Sequence, residues 1–203
     1  MKIALLIEGK TERAFLRPLR FFLEPRLVGR MPRLDPVPYD GRLPKGDRLR
    51  RDVERLLRTG QPPADAVIAL TDVYTGTRDF DDASDAKRQM REWVGPNQRF
   101  FPHAAQHDFE AWLLVYWPDI QRLAGHNRAA PHGSPESINH NSPPSSRIQE
   151  IFRTGSRGRS YVKPRDAERI LRENDLARAA QACPELRELL NTILSLCGGQ
   201  PLE

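Results

Sequence analysis

Cysteine is scarce in this chain, and long apolar runs are absent from it. The two cysteines among 203 residues, Cys183 and Cys197, are too few for a disulfide framework and lack the C-x-x-C spacing of a zinc site. No apolar run approaches the ~20 residues of a membrane-spanning helix. The first run, residues 3–7, is also too short for a signal peptide. We therefore expect a cytoplasmic protein that does not enter a membrane.

Acidic side chains are outnumbered by basic ones. The chain holds 32 lysines and arginines against 27 acidic residues, a net charge of +5. The excess is arginine, whose planar guanidinium suits phosphate contacts. A general bias towards arginine codons would give the same excess. The charge is therefore compatible with nucleic-acid binding without requiring it.

Apolar runs alternate with amphipathic segments through the first 117 residues. Strands are predicted at 3–7, 34–39, 64–71 and 99–105, and helices at 11–27, 47–58, 80–94 and 106–117. This alternation predicts an α/β fold with a mainly parallel sheet flanked by helices. Pro36 and Pro38 place the second strand at an edge, and Pro18 should kink the first helix or mark a short first segment of it.

The composition changes after residue 124. Residues 125–146 are rich in Asn, His, Pro, Ser and Gly and hold few large apolar side chains. The last part of the chain is again helical in pattern, with a break at Pro184. We predict an α/β domain over residues 1–124, a loop-rich insertion over 125–160 and a C-terminal helical segment over 161–203 packed on the same domain.

Acidic residues follow the predicted strands. Glu8 comes directly after the first strand, Asp72 after the third, and Glu110 soon after the fourth. Because parallel strands end at one edge of a sheet, we expect these carboxylates to converge there, joined by Glu12 and Asp108. Oxygen ligands without a His or Cys pattern suit Mg²⁺ or Mn²⁺. Such an ion can polarise a phosphoryl oxygen.

Each acid also has a purely structural explanation. Glu12 and Asp108 would suit the first turn of an ordinary helix. Glu110 lies among apolar neighbours, so it should be buried and should need a partner. Glu8 has the fewest alternatives because it ends a buried strand, so it is the strongest functional candidate among the acids.

Two other kinds of site fit the sequence less well. Gly9-Lys10-Thr11 is similar to the end of a phosphate loop, but that loop needs a glycine where this chain has Ala4. His103 and His107 straddle a strand–helix junction, which argues against a zinc site. His107 remains a candidate proton shuttle beside Glu110.

Several basic residues are candidates for contacts with a nucleic-acid backbone. They are Lys10, Arg48, Arg51, Arg55, Arg157, Arg159 and Lys163. Each phosphate contact would make binding more dependent on salt. The loop over residues 74–78 should be mobile and should help to position the substrate.

The strand ends resemble the motifs of the TOPRIM superfamily, the fold of topoisomerases, primases and OLD-type nucleases. Ile7-Glu8-Gly9-Lys10-Thr11-Glu12 is similar to its glutamate motif. Leu70-Thr71-Asp72-Val73-Tyr74 is similar to its Asp-x-Asp motif, with Tyr74 replacing the second aspartate. Residues 103–114 and 161–184 resemble an uncharacterised TOPRIM-like bacterial family that tends to be encoded beside AAA/SMC-like ATPases, in some cases in phage-defence loci.

The resemblance implies that Glu8 is an acid/base or metal-ligating residue and that Asp72 is a Mg²⁺ ligand. From the chain geometry we expect Glu110, with Asp108 as a second candidate, to supply the acid missing at Tyr74. The leading hypothesis is a Mg²⁺-dependent nuclease or toxin-like effector. The alternative is a non-catalytic subunit that binds a partner ATPase or nucleic acid. The oligomeric state is open, with a homodimer as one option.

Overall fold

In the computed structural model, which describes residues 1–39, 41–74, 79–137 and 142–203, a four-stranded parallel sheet is flanked by helices. The strands are β1 (Lys2–Ile7), β2 (Arg33–Pro38), β3 (Ala66–Asp72) and β4 (Phe100–Ala105). The helices are α1 (Lys10–Leu23), α2 (Gly46–Arg58), α3 (Ala83–Val94), α4 (Glu110–Leu113), α5 (Trp117–Ala124), α6 (Pro144–Thr154), α7 (Lys163–Arg172), α8 (Leu176–Ala182) and α9 (Pro184–Leu196). The predicted α/β class is confirmed.

The strands lie in the order β2-β1-β3-β4, and every pairing is parallel. Ile7 of β1 lies opposite Leu70 of β3, and Asp72 of β3 lies opposite Ala105 of β4. The carboxyl ends of these three strands therefore form one edge. The proline-containing strand β2 is at the side of the sheet, as predicted.

Side chains of β1 alternate between two apolar cores. Ile3, Leu5 and Ile7 join the larger core, which takes residues from α1 and from the helices α4 to α9. Ala4 and Leu6 face the other side and pack with residues of α2 and α3. Both faces of the central strands are thus covered by helices, which explains their continuous apolar sequence. The domain boundaries given above remain predictions.

The prediction of one helix over residues 106–117 was wrong. Residues 106–109 form a turn in which His107 has a φ of 72°. Helix α4 covers only four residues, and a 3₁₀ segment (Leu114–Tyr116) leads into α5. Pro118 lies in the first turn of α5 and does not end a helix, because proline lacks only an N–H that has no partner there.

A long-range contact accounts for that turn. The Tyr74 N–H donates a 2.6 Å hydrogen bond to the His107 carbonyl oxygen, so the chain after β4 is tied to the chain after β3. Apolar spacing carries no sign of such a contact. It therefore predicted a helix where the backbone has to turn.

Other differences are small. Helix α1 runs through Pro18 as one element and ends at Leu23, followed by a 3₁₀ turn (Glu24–Arg26). Helix α3 begins at Ala83, where the side chain of Asp82 caps it. The predicted break at Pro184 is confirmed. Of the predicted mobile loop, residues 75–78 lie outside the described residues. No helix in the described ranges is long and apolar enough to cross a membrane.

Candidate active site

Glu8 lies directly after β1 and is 6% exposed. Because Ile7 faces Leu70 across the parallel pair, the next residues on each strand, Glu8 and Thr71, are also neighbours. The Thr71 hydroxyl donates a short hydrogen bond to the Glu8 carboxylate. Burial raises the pKa of Glu8 to about 7, against the lowering effect of this hydrogen bond, and the charge of Glu12 adds to the rise.

Asp72 ends β3 and connects the acidic residues electrostatically. Burial raises the pKa of its carboxyl well above the usual value. Four neighbouring carboxylates raise it further, those of Glu8, Glu12, Asp108 and Glu110. Because β1, β3 and β4 run parallel, the acids that end or follow them lie at the same edge of the sheet, and Glu12 joins them from the first turn of α1.

Asp108 lies in the turn after β4 and is 2% exposed. Its Oδ2 accepts a 3.1 Å hydrogen bond from the backbone N–H of Ser145, the second residue of α6. Its Oδ1 is buried and has no hydrogen-bond partner within the described ranges. Burial raises the pKa of Asp108, whereas the contact with Ser145 and the charge of Lys163 lower it.

Glu110 is the first residue of α4 and is 1% exposed. Its Oε2 lies 3.2 Å from the Lys163 Nζ at the start of α7, and the Tyr161 hydroxyl donates to its Oε1 at 3.4 Å. Burial raises the pKa of Glu110 to about 7, with a further rise from the charge of Asp108, while Lys163 opposes the change.

Lys163 is the basic residue at the centre of these interactions. Burial alone would lower its pKa, but the charges of Glu110, Asp108 and Asp72 outweigh burial and raise it. The ammonium group therefore stays protonated and offsets part of the acidic charge. Glu12, in the first turn of α1, also has its pKa raised by burial and is opposed by the same lysine.

The chemistry of these side chains fits a hard divalent cation. The ligating atoms are all carboxylate oxygens, as Mg²⁺ and Mn²⁺ prefer, and the Asp108 Oδ1 is a buried acceptor without a partner in the described part of the chain. The same part of the chain contains no group of three or more His, Cys, Asp or Glu side chains already placed to hold an ion. The carboxylates would thus have to rotate towards an ion to share it.

The basic residues predicted to contact nucleic acid are spread over three places. Arg48, Arg51 and Arg55 lie on the exposed face of α2, where Arg55 is 3.6 Å from Asp52. Lys10 is the first residue of α1.

In the C-terminal half, Arg157 is exposed, whereas Arg159 binds the fully buried Asp166 at 2.9 Å and stacks over the Phe152 ring. Lys163 lies among the acids. The role of all these residues in substrate binding remains a prediction.

Thr71, Ser145 and Tyr161 are site residues that the sequence reasoning did not identify. Each contacts one of the predicted acids through a hydrogen bond that spans 37 to 63 positions of the chain. Only Thr71 carried a usable signal, since it precedes Asp72 on a strand next to β1. The role of His107 as a proton shuttle stays a prediction, although its side chain is buried beside Asp108.

Solved structures of two OLD proteins are similar to this chain. The C-terminal region of the Burkholderia pseudomallei OLD protein superposes with a TM-score of 0.52 at 13% identity, over 96% of this chain and 98% of that one. The corresponding region of the Xanthomonas campestris pv. campestris OLD protein gives a TM-score of 0.44 at 12% identity, over 95% and 97%. No curated protein matches the chain.

The first of these similarities supports the TOPRIM-like fold that the strand-end motifs implied. It covers the sheet and the C-terminal helices alike. A family model described as "Domain of unknown function (DUF4276)" matches residues 7–194, a range that begins just before Glu8 and extends beyond Lys163. The chain therefore belongs to that family.

Proposed function

We propose that this protein hydrolyses phosphodiester bonds in nucleic acid with the help of Mg²⁺ or Mn²⁺. The observation that carries the proposal is the collection of five carboxylates, four of which raise the pKa of Asp72, together with Lys163 at the carboxyl edge of the parallel sheet. So many acids can be ionised together only when a cation offsets their charge. The TOPRIM-like fold and the arginines exposed on α2 support nucleic acid as the substrate. A role as a toxin-like effector or in phage defence is part of this proposal.

The residues that would hold the ion are Glu8, Asp72 and Glu110, with Asp108 and Glu12 close by. A bound divalent ion supplies polarisation of a phosphoryl oxygen and a more acidic water. In hydrolysis the water oxygen bonds to phosphorus and loses a proton to a carboxylate, for which we propose Glu8, while the bond from phosphorus to the leaving oxygen breaks and that oxygen is protonated from solvent.

Three neighbours would position these acids. Thr71 fixes the Glu8 carboxylate, and the start of α6 fixes Asp108 through the Ser145 N–H. Lys163 is protonated and only 3.2 Å from Glu110. It could transfer its hydrogen bond to a phosphoryl oxygen when substrate enters, because ammonium groups bind phosphate oxygens strongly.

Cleavage assays with matched variants would test the proposal. Labelled single- and double-stranded DNA and RNA are incubated with the protein and Mg²⁺, Mn²⁺ or EDTA. We expect cleavage only with metal, and a loss of at least ~100-fold in Glu8→Gln, Asp72→Asn and Lys163→Met. Glu24→Gln, which changes an exposed glutamate of the first 3₁₀ turn, should cleave like the wild type. Equal rates for Glu8→Gln and wild type would end the proposal.

A non-catalytic subunit is the second candidate. It is favoured by Tyr74 in place of the second acid of the Asp-x-Asp motif, and by the Lys163 ammonium that already pairs with Glu110. In that case the same surface would bind nucleic acid or a partner ATPase without chemistry.

Calorimetric titration with Mg²⁺ and Mn²⁺ separates the two candidates. A catalytic site should release or absorb heat and raise the melting temperature, since a ligand that binds only the folded state stabilises it. Asp72→Asn should abolish both effects. An absence of binding, with an unchanged melting temperature, favours the non-catalytic subunit.

A further inference from the structure

A polar pocket, separate from the acidic edge of the sheet, lies between α5, the residues that follow α5, and α6. Its volume is about 280 Å³. Its lining includes Trp117, Arg128, His132, Arg147 and Glu150. We refer to it as the Arg147 pocket. Among the residues that the structure describes, the lining contains two arginines, a histidine, a tryptophan and one carboxylate.

Positive charge dominates this pocket. The Glu150 carboxylate is 2.6 Å from the Arg128 guanidinium. Its pKa is lowered first by that contact and then by the charges of Arg153 and Arg147. Two arginines and one acid line the pocket, so its lining keeps a net positive charge that suits an anion.

Arg147 provides a donor that has no use within the described part of the chain. Its Nε is buried and makes no hydrogen bond to any described residue. A buried donor without an acceptor costs free energy. Since the Arg147 side chain also lines the pocket, its rotation towards an anionic oxygen there would remove that cost. A guanidinium binds phosphate oxygens through two parallel hydrogen bonds when it is held in place.

The opposite wall of the pocket is held in a fixed shape. The carbonyl oxygen of Arg128 accepts hydrogen bonds from the Trp117 indole at 2.8 Å and from the Gln121 amide at 2.7 Å. The Arg128 backbone N–H in turn donates to the Nδ1 of His126 at 2.9 Å. The wall is thus a set of specific contacts, and its side chains present charge at a defined position.

The first turn of α6 joins this pocket to the acidic edge. Ser145, whose N–H donates to the Asp108 carboxylate, is two residues before Arg147 on the same helix. Residues two apart on a helix point to opposite sides of it, so the pocket and the acids lie on different sides of α6. Both lie within the length of this 11-residue helix, about 16 Å at 1.5 Å per residue. A strand of a few nucleotides that reaches the acids can therefore place another of its phosphates at Arg147.

We propose that the Arg147 pocket binds a backbone phosphate of the same nucleic-acid strand that reaches the acidic edge. The inference rests on the proposed function, because it assumes that a strand reaches those acids. It adds a specific binding subsite, formed by Arg147, Arg128 and His132, to which the sequence reasoning assigned no role.

Strand binding, measured without cleavage, tests the pocket separately from catalysis. The affinity for fluorescent single-stranded DNA and RNA is measured by anisotropy in EDTA at several salt concentrations. We expect Arg147→Gln to weaken binding roughly tenfold and to reduce the salt slope by about one. Glu150→Gln removes the only acid among the described lining residues and should strengthen binding. The Glu150→Gln variant therefore tests phosphate binding in the pocket even if Arg147→Gln fails to fold.

The matched control is Arg99→Gln, which removes the same charge just before β4, at the opposite edge of the sheet. It should bind like the wild type. Arg147→Lys keeps the charge but loses the planar fork, so it should keep the salt slope and lose part of the affinity.

The outcomes separate this proposal from the proposed function. If wild type and Arg147→Gln bind strands equally, and Glu150→Gln gains nothing, the pocket does not bind phosphate. If only the binding of free nucleoside monophosphate depends on Arg147, the pocket is a nucleotide site and the strand proposal is wrong. If wild type binds through Arg147 but never cleaves, the pocket stands and the nuclease proposal fails.

Discussion

Replacing Glu110 with glutamine should stabilise the metal-free protein at alkaline pH and should do so much less at acidic pH. Glu110 is 1% exposed, and burial raises its pKa to about 7 from an ordinary 4.5. The folded protein therefore holds the Glu110 proton more tightly than the unfolded chain does. This contribution to stability is complete below pH 4.5 and is lost as the pH rises through 7.

The size of the effect follows from that pKa. One pKa unit corresponds to about 1.4 kcal/mol, so a glutamate with these values costs the folded state about 3 kcal/mol at pH 8 and less than about 1 kcal/mol at pH 5. Glutamine carries no charge at either pH. The difference in unfolding free energy between Glu110→Gln and wild type should thus grow by about 2–3 kcal/mol from pH 5 to pH 8.

Urea unfolding in EDTA at the two pH values measures this difference, since the free energy falls linearly with denaturant. The substitution also removes the contact between Glu110 and Lys163. The part of that loss that does not depend on pH cancels when the stability difference at pH 5 is subtracted from the difference at pH 8. Glu24→Gln, at an exposed position, serves as the control and should differ from wild type by the same amount at both pH values. A Glu110→Gln difference that is equally constant would refute the reasoning that burial raises this pKa.

Three further predictions concern neighbouring residues. Thr71→Val removes a hydroxyl that lowers the pKa of Glu8, so the acidic limb of the cleavage–pH profile should move to higher pH. Gly155→Ala would place a Cβ 2.1 Å from the Ala124 carbonyl oxygen, and should cost at least ~2 kcal/mol in urea unfolding. His107→Gly should be more stable than His107→Ala by ~1 kcal/mol, because alanine is strained at a φ of 72°.

Each of these has an outcome that contradicts it. A cleavage–pH profile of Thr71→Val that superposes on the wild type would show that the hydroxyl does not act on Glu8. Gly29→Ala is the control for Gly155, since an added Cβ there meets no described atom within 4 Å; equal stabilities of the two variants would exclude the steric argument. If His107→Ala is more stable than His107→Gly, the turn does not require a residue that tolerates the left-handed backbone conformation.

Much of the fold could be predicted because its signals are local. The apolar runs of β1 and β3, the prolines of β2 and the alternation with amphipathic helices specify a parallel α/β sheet. The strand-end acids Glu8 and Asp72 could be found for the same reason, since a polar residue that ends a buried strand is visible in the sequence. The segment after β4 could not, because its turn depends on a hydrogen bond to Tyr74.

By itself, the sequence determined which residues form the buried strands and which carboxylates follow them. Only the tertiary structure decided what surrounds those carboxylates. Lys163 reaches Glu110 across 53 positions of the chain, and Thr71 reaches Glu8 across 63. Contacts over such distances leave no periodic or local pattern. They arise when the parallel strands align their carboxyl ends and α7 packs against α1, and this packing turns a row of strand-end acids into one charged, buried site.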